Sequence, residues 1–181
     1  MSDDNLIGRL KDPKQKRLAF HELVTIYREK LYWHIRKIVI SHDDTDDILQ
    51  NVFVKVWNNI DTFREESSLY TWLFRIATNE ALTFLSKQRR KRIFFVESEE
   101  DYLLTQLEAD EYFDGDEIQK KLMCQVLKLP KKQRLVFNMK YFDGMKFTEI
   151  AEVLNLTTGA LKASYHHACK KIEEGLKKDV W

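Results

Sequence analysis

The chain has 181 residues, 44% hydrophobic and 33% charged, with only 5 Gly and 2 Pro; this disfavours a sheet-rich fold and suits an all-α chain of one medium or two small domains. Its two cysteines, Cys124 and Cys169, stand far apart and fit a reducing, cytoplasmic setting; no N-terminal apolar run reads as a signal peptide, and no apolar run is long enough to insert in a membrane. The net charge of +1 conceals a segregation: residues 1–96 carry 17 basic and 13 acidic residues, residues 97–118 carry 10 acidic and no basic ones, and residues 119–181 carry 13 basic against 6 acidic. Two basic modules flank an acidic connector, an asymmetry that points to a nucleic-acid partner.

In chain order, Phe20, Leu23, Val24, Tyr27, Leu31, Ile35, Ile38 and Val39 recur at three- and four-residue spacing and predict helix from about Lys14 to Ile40, with "REK" a place where it would divide in two. Ser41 in "SHDD" is a candidate cap for the next helix, with acidic residues at its positive end. That helix, "DDTDDILQNVFVKVWNNI", puts Ile48, Leu49, Val52, Phe53, Val56 and Trp57 on its inner face and leaves Asp47, Gln50, Asn51, Val54 and Lys55 outward or sideways. A polar loop, "DTFREESS", precedes "LYTWLFRIATNEALTFLSKQRRKR", an aromatic-rich helix ending in Lys87, Arg89, Arg90, Lys91 and Arg92. Such a basic run fits a nucleic-acid contact and equally fits a solvated helix end. The connector holds Tyr102, Leu103, Leu104, Leu107, Tyr112 and Phe113, too many large apolar residues for plain disorder; it is read as a short helix or as an extended segment lying on a partner. Beyond Ile118, "IQKKLMCQVLKL" is one helix stopped by Pro130, with Cys124 in its apolar stripe, and "KKQRLVFNMKYF" is a second closed by "DG".

"TEIAEVL", "NLTTG" and the helix that follows make a helix-turn-helix. Thr157 or Thr158 caps the second helix, and Leu161, Tyr165, Ala168, Ile172 and Leu176 form its inner stripe. The outer face then presents Gly159, Lys162, Ala163, His166, His167 and Lys170. Zinc wants about four converging ligands, whereas only His166, His167 and Cys169 lie close here, and neighbours on a helix point apart. No metal or other cofactor is expected. The face instead has what a major-groove reader needs: Lys162 to donate to guanine or phosphate, histidines to donate, accept or stack, and small Ala163 to admit a thymine methyl, with Lys146, Lys170 and Lys171 available for phosphates. An ordinary helical hairpin with a solvated face has the same pattern. No phosphate loop, nucleophile–base pair or metal cluster marks an enzyme, so no small-molecule substrate is expected.

These motifs carry a resemblance. "DDILQNVFVKVWNNIDTFREESSLYTWLFRIATNEALTFLSKQRRK" resembles region 2, and "LPKKQRLVFNMKYFDGMKFTEIAEVLNLTTGALKASYHHACKKI" region 4, of extracytoplasmic-function (ECF) sigma factors of the sigma-70 family; "GALKASYHHA" is similar to versions from Bacteroidetes. The resemblance implies an all-α protein of two small helical domains: region 2 over residues 1–96, an acidic linker over 97–118 and region 4 over 119–181. It implies an initiation subunit that is not an enzyme, binds the clamp and flap of core RNA polymerase, reads promoter DNA, and is held by an anti-sigma factor until a signal arrives. Carried over residue by residue, Asp47, Gln50, Asn51 and Lys55 would grip the clamp. Thr62, Phe63, Arg64 and Asn79 would read and melt the minus-ten element, where an extruded base needs a pocket. Trp72 and Phe74 are read as core, whereas Phe63 either meets a base or anchors its loop. Thr158, Lys162, Ala163, His166, His167 and Lys170 would face the minus-thirty-five element, although Ala163, Ser164 and His167 depart from the arginine or serine common in that family. A linker of 22 residues reaches about 75 Å when extended, comparable to about two turns of DNA at roughly 70 Å; in that family it follows the RNA path, so its charge suits mimicry of RNA. The rival readings are a stand-alone two-module helix-turn-helix regulator and an interaction protein that borrows the same fold.

Overall fold

The computed structural model describes residues 3–91, 98–110 and 117–178. Arg92 of the basic run, and Glu97, Tyr112 and Phe113 of the connector, lie outside the described residues. Among the described residues every regular element is helical, as the scarcity of turn formers and the three-to-four apolar spacing imply. Helices α1 (Asp3–Lys11), α2 (Lys16–Val39), α3 (His42–Asn59) and α4 (Leu69–Lys91) pack around one another, with a 3₁₀ turn at Ile60–Thr62 after α3. Helices α6 (Glu117–Leu127), α7 (Lys131–Phe137), α8 (Phe147–Leu154) and α9 (Thr158–Lys178) form the second group, and α5 (Glu99–Glu108) lies in the connector.

α2 runs unbroken through Arg28, Glu29 and Lys30, where a division was expected. Those three residues are exposed and good helix formers, so the polar interruption costs the helix nothing, while Leu23, Leu31 and Ile35 are fully buried on either side. Ser41 caps α3 as the sequence implies: its hydroxyl accepts from the Asp44 amide at 3.3 Å, with Asp43 and Asp44 in the positive first turn. Ile48, Leu49, Val52 and Val56 enter the core. Trp57 does not: it is 37% exposed, its ring set edge-on to Phe20 at 5.0 Å with the Lys16 ammonium 4.9 Å above it. The correction has a plain cause, since the indole is amphipathic and a lysine covers its face.

The connector's helical alternative is the one adopted. Ser98 and Asp101 form a capping box at the start of α5, and Leu103 and Leu107, one turn apart, are buried. α7 relaxes after Phe137 into a π turn at Asn138–Phe142, which delivers Asp143 to the base of α4. The two groups of helices are closed on each other, with α8 packed along α4 and the π turn against α2.

Candidate nucleic-acid interface

The second half of the helix-turn-helix is built from its caps outward. The Glu149 carboxylate accepts from the Lys146 amide at 2.6 Å and fixes the start of α8. Asn155 ends it in the left-handed conformation, at φ 53°. Thr157, not Thr158, is the cap of α9, its hydroxyl accepting from the Ala160 amide at 3.3 Å. Leu161 and Ala168 are fully buried and Ile172 nearly so, while Tyr165 lies between the Phe137 and Phe147 rings, each 5.9 Å away. Burial pushes the Tyr165 hydroxyl above its ordinary value, reinforced by its hydrogen bond with Cys169. With that stripe fixed inward, Thr158, Gly159, Lys162, Ala163, His166, His167 and Lys170 are all exposed along the opposite side. The His166 and His167 rings stand 6.0 Å apart and tilted, and among the described residues no three His, Cys, Asp or Glu side chains converge on a metal position.

On α3, Asp47, Gln50 and Asn51 are exposed on one stripe, which extends to Val54, 59% exposed. An unpaired valine between polar neighbours was legible only as a residue left outside the stripe. Lys55, also exposed, turns from that row to the Glu80 carboxylate of α4. Beside Glu80, Asn79 is exposed.

The loop between α3 and α4 presents Thr62 and Arg64, the latter 83% exposed, while the Thr62 hydroxyl donates to the Asn59 carbonyl at 2.7 Å. Phe63 points the other way. It is 4% exposed, its ring tilted against Trp72 at 5.0 Å and under the Lys11 ammonium at 5.9 Å. Of its two readings, the anchor is the one this structure takes: a phenyl ring left in water would forfeit roughly 2 kcal/mol of burial. Ion pairs from Lys11 to Glu65 and from Lys16 to Asp61 tie the same loop to the N-terminal helices, a link that no local pattern announces. Trp72 is half-buried and Phe74 fully buried, both as core. Lys87, Arg89, Arg90 and Lys91 end α4 exposed.

The same two segments are matched by family models: "Sigma-70 region 2" over residues 23–91 and "Sigma-70, region 4" over residues 119–172. The chain is 30% identical over 169 residues to the ECF RNA polymerase sigma factor SigW of Bacillus subtilis, covering 88% of this chain and 89% of that one. Among solved structures it is similar to CnrH in complex with the cytosolic domain of CnrY, with a TM-score of 0.71, 25% identity and 98% of each chain covered. It also shares the fold of the sigma factor RpoE in complex with the anti-sigma factor NepR from Bartonella quintana, with a TM-score of 0.66, 20% identity, and 87% and 96% of the two chains covered. No described helix is long and apolar enough to cross a membrane.

Proposed function

Because this chain belongs to the sigma-70 family as an ECF RNA polymerase sigma factor, we propose that its exposed surfaces divide the work of promoter recognition between its two ends. The N-terminal module, residues 1–96, meets core RNA polymerase through the outer face of α3, with Asp47, Gln50, Asn51 and Lys55 against the clamp. Thr62, Arg64 and Asn79 face the minus-ten element. Phe63 supports that loop from beneath. The C-terminal module, residues 119–181, meets the polymerase flap and lays α9 in the major groove of the minus-thirty-five element. Lys162, Ala163 and His166 read base edges there, and Thr158, His167 and Lys170 position the helix on phosphates.

Sigma factors are non-enzymatic initiation factors, and this one works in the cytoplasm on a limited promoter set. An anti-sigma factor holds it until needed. Family membership supports that partner, as does the shared fold of RpoE, which was solved with one. The observation that carries the whole reading is that two sigma segments, in family order, occupy separate groups of helices whose outward faces are polar and unspent in packing.

Run-off transcription on fragmented genomic DNA, with core polymerase plus this protein, should yield transcripts with shared upstream elements. If the chain leaves start sites unchanged and shifts duplex DNA specifically without polymerase, it is a stand-alone regulator and the proposal falls.

A further inference from the structure

The loop between α3 and α4 carries a charge at odds with a DNA-facing role. Asp61, Glu65 and Glu66 surround Arg64, three carboxylates against one guanidinium. Left alone, such a segment would repel a phosphate backbone. Glu66 reaches Arg64 only at 4.0 Å, with both side chains in water. The other two carboxylates are taken by lysines from outside the loop. Lys11, the last residue of α1, meets Glu65 at 2.5 Å, and Lys16, the first of α2, meets Asp61 at 2.6 Å. Both lysines precede residue 23, where the region 2 segment begins.

These lysines stand on a firm base. Leu6, Ile7 and Leu10 bury one side of α1 in the module, and Arg9 joins α1 to Glu22 of α2 at 2.5 Å. Between the two helices, the Asp12 carboxylate accepts from the Lys14 amide at 3.0 Å and from the Gln15 side-chain amide at 2.7 Å. That bend aims both lysines at one loop.

The loop has need of the hold. Glu65 sits at φ 60°, a left-handed conformation that a glutamate keeps only where its surroundings impose it. Its side chain is half exposed, so packing does not impose it; the pair with Lys11 does. Nearby, the Thr62 hydroxyl has its hydrogen committed to the Asn59 carbonyl and offers a base only an acceptor. A lone acceptor discriminates only when its direction is fixed. Exposed ion pairs add little to stability, so two of them converging on one short loop suit the fixing of its shape better than the holding of the module.

We propose that Lys11 and Lys16 are positioning residues for minus-ten recognition. They neutralise Glu65 and Asp61, hold the strained backbone at Glu65, and so present Thr62 and Arg64 to an extruded base in one geometry. They act through the two carboxylates and not by touching DNA. This rests on the sigma-factor reading. A loop ordered beforehand loses little freedom when the base enters.

The experiment uses the full chain, free and with core polymerase, on a promoter recovered by run-off transcription and labelled with 2-aminopurine in its minus-ten element. Lys11→Gln combined with Lys16→Gln should slow opening about tenfold and flatten preference among single-base variants of that element, while affinity for core polymerase holds. In the free chain, nitrogen-15 order parameters at Arg64 and Glu65 should fall from about 0.85 to below about 0.6. Lys11→Glu combined with Glu65→Lys should restore order at the loop and base preference. Glu65→Gln separates this role from direct phosphate binding by Lys11. If the pair positions the loop, removing a negative charge beside DNA still slows opening. If Glu65→Gln instead opens promoters faster, the proposal falls. It falls equally if the double lysine variant keeps its loop order, or loses opening only in step with a lowered urea midpoint while base preference stays intact. Should loop order depend on Lys11 while the wild-type complex opens no promoter, the clasp on the loop stands and the sigma-factor reading is removed.

Discussion

The interiors of the two modules and the polar contacts at the seam between them use opposite physics, and α2 takes part in both. Toward the N-terminal core it turns Leu23, Leu31, Ile35 and Val39, all fully buried. Toward the C-terminal module it turns His34 and Lys37, and toward the connector Arg36. Apolar burial is non-directional and cheap to keep, so the modules persist. Charged groups are nearly as well served by water as by each other, so these polar contacts hold the seam less firmly than apolar burial holds each module.

The sharpest way to break this contrast is to injure each side and compare. Leu31→Ala should cost about 2–5 kcal/mol, seen as a lowered urea midpoint. Asp143→Asn combined with Glu99→Gln and Asp110→Asn should cost less, because the cations left unpaired at the seam regain water when the seam parts, and should change the scattering. Equal losses from the two would mean that the modules are not separate stability units.

Next in size is the exposed side of α9, which the closed state leaves open. In the polymerase complex, Lys162→Ala or His166→Ala should each cost about 1–3 kcal/mol on the cognate upstream element and relax preference at one base position. Lys170→Ala should weaken all sequences alike and lower the salt slope by about 1. Filter binding on a panel of single-base variants separates the two. Loss of discrimination on Lys170→Ala, or none on the other two, would reassign the face.

How far these features were legible depended on what kind of signal carried them. The inner stripes of α2, α3 and α9 announced themselves by period, and the exposed row at Lys162, Ala163, His166 and Lys170 followed from the stripe behind it. Trp57 was misplaced because periodicity sees hydrophobicity and not the lysine that caps the ring. Phe63 had no period to read in a loop. The contact between His34 and Asp143 was invisible for a stronger reason: they are 109 residues apart, and polar contacts at that separation leave no local pattern. Asp110 and Glu99 read only as part of an acidic run, and their pairs with Arg36 and Arg134 draw on its charges.

The seam should also yield to acid, an effect that sharpens the contrast because the apolar interiors have no such dependence. Burial alone would raise the Asp143 carboxyl, but His34 and Lys37 outweigh it and hold the group below its ordinary value of 3.8. A depressed carboxyl contributes to closure fully above that ordinary value and loses the contribution as pH falls through the closed-state value. Of the ionisable groups around it, His34 and Lys37 face it from α2 and Tyr70 from α4, whose hydroxyl burial pushes further up, with Asp143 and Glu149 adding to the rise. Glu29 and Lys30 line the adjoining cleft of about 430 Å³. Scattering should therefore show expansion on the acid side while helix content holds, and Asp143→Asn should flatten the profile. Expansion of the Asp143→Asn variant along the same curve as wild type would place the titration elsewhere.

The smallest effect belongs to the turn between α8 and α9, well inside one module. Asn155 sits at φ 53°, a conformation that asparagine and glycine tolerate and alanine does not. Asn155→Ala should therefore cost about 1 kcal/mol, whereas Asn155→Gly should be within about 0.5 kcal/mol of wild type. Both variants should scatter as closed particles, because the turn touches neither Asp143 nor Arg36 and Arg134, the arginines that pair with the connector. A closed particle with a loosened turn would show that strain within the C-terminal module and opening of the seam are separate events. An expanded Asn155→Ala particle would tie them together, making the angle between α8 and α9 the lever that frees α4.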